Sequence, residues 1–165
     1  MPPVAPNPAA FLRPATAHDI NFLTDVVIVT ARAQGRLPED FDEDEFRRGF
    51  AEWTSEQVAG HLPGSLTSVI EIDGERAGRL RVVRASDHME LAGIQLLPAH
   101  QGHGIGTYLI EELLVEARGA GLAARVSVAK DNPRARALYE RLGFVVVGDE
   151  GDETQLEWAA RPGSD

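Results

Sequence analysis

Cysteine is absent from the chain, which excludes disulfides, thiolate metal sites and a cysteine nucleophile. A cytoplasmic location is the expectation that fits this. Long apolar runs are missing as well: no stretch approaches the roughly 18 residues that a membrane span needs. The opening segment, Met1 to Pro8, has neither the basic region nor the apolar core of a secretory signal. Positive charge is in short supply. The formal net charge is −10, whereas broad nucleic-acid binding needs a basic footprint, so neither a membrane nor a nucleic acid is an expected partner. What is present is ordinary for a globular chain, and 165 residues can bury a core without staples.

The negative charge is unevenly spread. Residues 39–45 hold six acids (Glu39, Asp40, Asp42, Glu43, Asp44, Glu45) and residues 149–157 hold five (Asp149, Glu150, Asp152, Glu153, Glu157), with no Lys or Arg in either stretch. Apart from those 11, the chain has 15 acids against 16 bases and is close to neutral. Residues 123–141 are locally basic, with Arg125, Lys130, Arg134, Arg136 and Arg141 against Asp131 and Glu140. An anionic ligand could bind there despite the acidic total.

Along the chain, residues 1–10 read as a loose Pro/Ala-rich tail, 11–160 as one domain, and 161–165 as a second tail. Phe11–Arg13 is a short strand stopped by Pro14. Thr16 and Asp19 make a capping box with a shortened acid, and Ile20, Leu23, Val27 and Ala31 then recur at helical spacing as far as Arg32. A second helix follows the acidic run, with Phe46, Phe50 and Trp53 on one face. Three strands come next: Thr67–Ile72, the tight turn Asp73-Gly74, Ala77–Arg84, and Met89–Leu97. The third is apolar on both faces and is expected at the centre of its sheet. A glycine-rich turn leads into a helix carrying Ile105, Leu109 and Leu113 and ending near Gly119. Ala123–Ala129 is a buried strand. Asn132 caps a helix with Pro133 at its first position and Gly143 at its close. Phe144–Gly148 and Thr154–Trp158 complete the chain. The order β-α-α-β-β-β-α-β-α-β-β predicts an α/β layer sandwich with a mixed sheet.

The turn from Gln101 to Gly106 lies between a buried strand and a helix. The first amides of a helix have no internal partner and sit at the positive end of its dipole, which favours phosphate. Glycine lets main chain approach a ligand, because no Cβ intervenes. A turn that merely starts a helix is the plainer alternative. Two familiar phosphate loops fit poorly. A dinucleotide fingerprint wants a further glycine at Thr107 and a later acid, and a P-loop wants a Gly-Lys-Ser/Thr run.

Two segments together resemble the GNAT superfamily of N-acetyltransferases. Ile94-Gln-Leu-Leu-Pro98 followed by Gln101-Gly-His-Gly104-Ile-Gly106 is similar to the family's strand and Gln/Arg-x-x-Gly-x-Gly/Ala turn. Asn132-Pro-Arg-Ala135-Arg-Ala-Leu138-Tyr139-Glu-Arg-Leu-Gly143-Phe144 is similar to its second motif. The resemblance runs over roughly residues 11–159. It implies a mixed, mostly antiparallel central sheet of about seven strands with helices on both faces, the acyl-CoA N-acyltransferase architecture. It also implies acetyl-CoA as co-substrate; no metal is expected, because His100 and His103 bracket a turn and no acidic or histidine partner has ligand spacing. The pyrophosphate would rest on the turn formed by Gln101, Gly102, His103, Gly104, Ile105, Gly106 and Thr107. The pantetheine arm would pair with Ile94, Gln95 and Leu96 like an added strand, and Asn132 would belong to the same cofactor site. The coenzyme carries about four negative charges, so the basic 123–141 stretch suits its flank. His103 is either a pH-dependent phosphate contact or a solvated turn residue.

For the chemistry, the resemblance assigns Tyr139 to the thioester sulfur, as a phenol able to donate to a departing thiolate. The alternative is a core tyrosine. The amide of Leu96 would hold the oxyanion. Glu90 is the general-base candidate, 11 residues before Gln101, as in histone-acetylating members, and it would act through water. The alternative is a sheet carboxylate paired with Arg79 or Arg81. His88, on the same strand face as Glu90, is a secondary base candidate. Other members place a base five residues before the second motif, where this chain has Ser127. The acceptor is expected to be the primary amine of a small molecule or peptide. The acids at 39–45 either attract a cationic amine or begin a solvated helix. A homodimer is an expectation by analogy with relatives. A non-catalytic acyl-CoA-binding module of the same fold is the alternative to the enzyme.

Overall fold

In a computed structural model, residues 9–160 are described. The segments expected to be loose, 1–10 and 161–165, lie outside the described residues except for Ala9 and Ala10, and Ala10 opens the first strand. The elements are β1 (Ala10–Pro14), α1 (Ile20–Ala33), α2 (Glu43–Val58), β2 (Ser65–Ile72), β3 (Glu75–Arg84), β4 (His88–Leu96), α3 (Ile105–Ala120), β5 (Ala123–Ala129), α4 (Pro133–Arg141), β6 (Val145–Glu150) and β7 (Glu153–Trp158). Their order is the predicted one. The sheet is seven-stranded, in the order β1-β2-β3-β4-β5-β7-β6, so β4 is central as its sequence predicts. β4 and β5 are parallel, while β1–β2, β5–β7 and β6–β7 are antiparallel. No helix among the described residues is long and apolar enough to cross a membrane.

By its internal contacts the described chain divides into two compact units, one formed by residues 9–82 and 93–106 and the other by residues 83–92 and 107–160. In the first, the chain enters α1 through a short 3-10 turn at Ala17–Asp19. Asp19 anchors this entry. Its carboxylate accepts from Arg13 Nη1 at 2.8 Å and Nη2 at 3.0 Å, and from the Thr16 amide at 2.8 Å. Asp19 is buried, so the arginine and the capping amide stabilise its charge where water cannot. The Asp73-Gly74 turn has φ +53° and +79°, the doubly left-handed geometry of a tight hairpin. α2 starts inside the acidic run rather than after it, in line with the helix-start alternative for those acids. Asp42 caps the Glu45 amide at 3.1 Å, and Glu43, Asp44 and Glu45 form the first turn, where acids suit the dipole.

In the second unit, β5 carries β4 on one side and β7 on the other. Leu109, Ile110, Leu113, Leu114 and Ala117 of α3 are buried. α3 runs through Gly119, and the residue that ends it is Gly121, at φ +71°. Gly119 makes no special backbone demand, so the helix simply continues past it. Asn132 Oδ1 accepts the Ala135 amide at 3.2 Å as the predicted cap of α4.

The Arg13 pair and the Thr16 amide hold the Asp19 carboxyl well below the usual carboxylate range. The folded state therefore gains stability above roughly pH 4 that is lost as pH falls. Asp19→Asn is expected to lower the urea-unfolding free energy at neutral pH by about 2 kcal/mol. This is less than a fully buried pair would lose, because Arg13 stays partly exposed. The gap between wild type and variant should narrow progressively as the same titration is carried down from pH 4.

Candidate functional site

β4 ends at Leu96, and a 3-10 turn at Pro98–His100 leads to the glycine turn. The turn is tied back to the strand: the Gln101 side-chain amide donates to the Leu96 carbonyl at 2.8 Å. Gly102 and Gly104 have φ +81° and +78°, a region closed to most side chains. A Cβ added at either would meet nothing within 4 Å. The glycines therefore serve the backbone path, and the outer side of the turn is open. Ile105, the first residue of α3, is 1% exposed and seats the helix start. His103 is exposed on the turn. The helix opens with amides that have no internal partner, so the turn offers main-chain donors to an anion.

The first half of β4 has a different character. Met89 and Leu91 are buried on one face, while His88 and Glu90 are half-buried on the other. The parallel register with β5 runs from His88↔Ala123 to Leu91↔Val126, and β4 continues for five residues beyond the last pair. Glu90 lines a groove of about 340 Å³ with His88, Arg125, Ser127, Val147, Gln155 and Glu157. Arg125 Nε is committed to Glu157 at 2.9 Å. Glu90 has no hydrogen bond or ion pair among the described residues. The arginines offered as its sheet partners bond elsewhere: Arg79 to Gln95 at 3.0 Å and Arg81 to Ser65 at 3.1 Å. His88 Nδ1 lies 2.8 Å from Asp87 Oδ1. With Nδ1 as donor in that bond, the neutral ring carries its lone pair on Nε2. Asp87 was not singled out in the sequence, although an acid directly before a candidate histidine is a readable signal.

Tyr139 is 5% exposed, its ring meeting Phe144 edge-on with centroids 5.4 Å apart. Burial pushes its phenol up to about 12, because the phenolate would lose its hydration. Tyr139 is a proton holder at any physiological pH, and full transfer to a thiolate of pKa about 8.5 is uphill by roughly 5 kcal/mol. What it offers is a hydrogen bond. Ile94, Gln95, Leu96 and Gln101 to Gly106 belong to one compact unit, and Glu90, Thr107, Asn132 and Tyr139 to the other.

A seven-stranded mixed sheet with four helices is the acyl-CoA N-acyltransferase fold. The PaiA N-acetyltransferase of Thermoplasma acidophilum, solved in complex with coenzyme A, shares it, with a TM-score of 0.77 at 20% identity over 92% of this chain and 99% of that one. The chain belongs to the acetyltransferase (GNAT) family, which matches residues 28–144. It is similar to the mycothiol acetyltransferase of Nocardia farcinica, with 41% identity over 94 residues, 54% of this chain and 30% of that protein. It is also similar to the N-alpha-acetyltransferase RimI of Mycobacterium tuberculosis, with 46% identity over 59 residues, 36% of each chain. These matches span about a third of each relative's length.

Tyr139 binds its proton more tightly folded than unfolded, so stability is intact below pH 10 and falls as pH rises towards 12. In Tyr108→Phe, which leaves Tyr139 as the single phenol, the phenolate absorbance is expected to rise near pH 12. A midpoint near 10 would show the hydroxyl to be solvated.

Proposed function

We propose that this protein transfers the acetyl group of acetyl-CoA to a primary amine. The observation that carries the proposal is the glycine turn at the head of α3, whose open outer side and donor amides fit a diphosphate. Membership of the GNAT family supports it independently. Acetyl-CoA, when bound, supplies an activated thioester. The amides of Gly102 to Thr107 would hold its pyrophosphate. The main chain of Ile94, Gln95 and Leu96, beyond the last parallel pair of β4 with β5, would take the pantetheine amides as an added strand. Asn132 contributes by capping α4, the helix that bears Tyr139.

The amine nitrogen attacks the acetyl carbon, the carbon–sulfur bond breaks, and one proton must leave nitrogen. Glu90 accepts that proton through water, and its freedom from any arginine keeps its oxygens available. His88, oriented by Asp87, is the second candidate on the same face. The Leu96 amide donates to the carbonyl oxygen as charge develops. Tyr139 donates a hydrogen bond to the departing sulfur without giving up its proton fully. A primary amine of a small molecule or a peptide is the acceptor class.

The reading is tested by free-thiol release from acetyl-CoA across a panel of amines. Tyr139→Phe is expected to cut turnover about tenfold or more, with coenzyme affinity by calorimetry near wild type. Loss of both alike would make the residue structural. Glu90→Gln should flatten the alkaline-rising limb of the pH–rate profile, and an unchanged profile would leave the role to His88. Gly104→Val is expected to weaken coenzyme A binding about tenfold or more, whereas Gly121→Val, with a similar φ at the other end of α3, should not. Binding without thiol release from any amine would identify a non-catalytic acyl-CoA-binding module.

A further inference from the structure

We infer that the buried guanidinium of Arg79 is a subsite for a carboxylate carried by the amine acceptor, so that the substrates are amino acids or similar carboxylate-bearing amines. The acceptor assignment rests on the acetyltransferase reading, while the anion site stands on its own geometry. Arg79 lies on β3 and is 4% exposed. Its Nη1 donates to Gln95 Oε1 at 3.0 Å, and its buried Nε has no partner. The rings of Phe50 and Trp53 lie 5.4 and 5.9 Å from the guanidinium carbon. An amide oxygen and two ring faces solvate a cation, but they do not neutralise it. No carboxylate among the described residues pairs with it.

The nearest charge that acts on Arg79 is Arg81, another cation. Together with burial, it lowers the Arg79 pKa to about 10, which still leaves the group charged at neutral pH. Arg81 is on the same strand face, its guanidinium 4.9 Å from the Trp53 ring. The unpartnered Nε and the Nη beside it form the edge with which arginine grips a carboxylate through two parallel bonds. β4 makes room for this: a Cβ at Gly93 would collide with Arg79 Nη1.

The face of α2 that bears Phe50 and Trp53 continues, at helical spacing, to Thr54 and Gln57. Thr54 Oγ1 and Gln57 Nε2 are the other two buried side-chain polar atoms without a partner among the described residues. Gln57 Oε1 is already occupied by the Thr67 hydroxyl at 2.9 Å, so its amide hydrogens are what remain. A hydroxyl, an amide NH2 and a guanidinium can all donate, and at these three atoms no acceptor among the described residues receives from them. Such a set suits an anion and repels a polycation. Gln95 links it to the β4 segment assigned to the acyl donor. The acceptor therefore carries a carboxylate beside its amine rather than being the purely cationic amine that one reading of the 39–45 acids offered, and Glu43 in that run is already paired with Arg32 and Arg47.

The test pairs L-amino acids with their carboxamides, and adds putrescine, in the thiol-release assay. The wild type is expected to prefer the acids by about 100-fold in kcat/KM, and Arg79→Gln should collapse that ratio to near one. Gly93→Ala, which pushes on Nη1 but leaves the charge, should reduce the ratio partway. Equal use of acids and amides by the wild type, or an unchanged ratio in Arg79→Gln, overturns the subsite. A second arm needs no turnover: an N-acetyl amino acid should raise the Tm of the wild type but not of Arg79→Gln, and its carboxamide should raise neither. A carboxylate-dependent rise without thiol release from any amine would sustain the subsite and sink the acetyltransfer; thiol release without such a rise would do the reverse.

Discussion

A helix that starts immediately after a tight turn leaves its first amide groups facing outward, and nothing within the helix can satisfy them. In this protein that constraint falls at Ile105. The residue is buried and holds the helix in place, while Gly102 and Gly104 carry the chain through left-handed geometry just before it. Side chains at those two positions would strain the turn, and the path of the amides would change with it. The assigned function depends on this local backbone geometry more than on any single side chain. A family member lacking charged residues in the turn can still hold a phosphate, because main-chain donors do not vary with sequence.

The groups with chemistry differ mainly in what has already claimed them. Arg125 is held by Glu157, Arg13 by Asp19, and Arg84 by Glu116. These side chains have met their electrostatic needs within the fold. Glu90 and Arg79 have not. A half-buried carboxylate facing a groove and a buried guanidinium with an unused edge are both costly arrangements for a stable fold. Structural necessity does not account for either; in the proposed acetyl transfer Glu90 takes the acceptor's proton, and Arg79 is proposed to take its carboxylate. The Tyr139 hydroxyl is a third case. Burial keeps it protonated, which suits a donor and rules out a base.

Much of the architecture was readable because it rests on local chemistry. Asp73-Gly74 takes positive φ at both residues, a turn that few other pairs make, and the hairpin follows. Asn132 followed by Pro133 satisfies an amide and presets a dihedral angle at a helix start. Where the sequence left two readings open, the choice was also local. The acids at 43–45 either attract a cation or begin a helix, and they form the first turn of α2, where the dipole favours them. α3 ends one residue past Gly119, at the positive φ of Gly121.

The amino-acid sequence by itself determined the order of elements, the centrality of β4, the glycine turn and the family. Each of these depends on spacing, on residues that permit particular backbone angles, or on motifs contiguous in the chain. Tertiary structure alone decided the electrostatics. Whether Arg79 would pair with Glu90, and how far the Tyr139 phenol would move from its ordinary acidity, depended on neighbours tens of residues away and on the exclusion of water. Periodicity places a side chain on a face, but its charge state and its partners are set only when that face is covered.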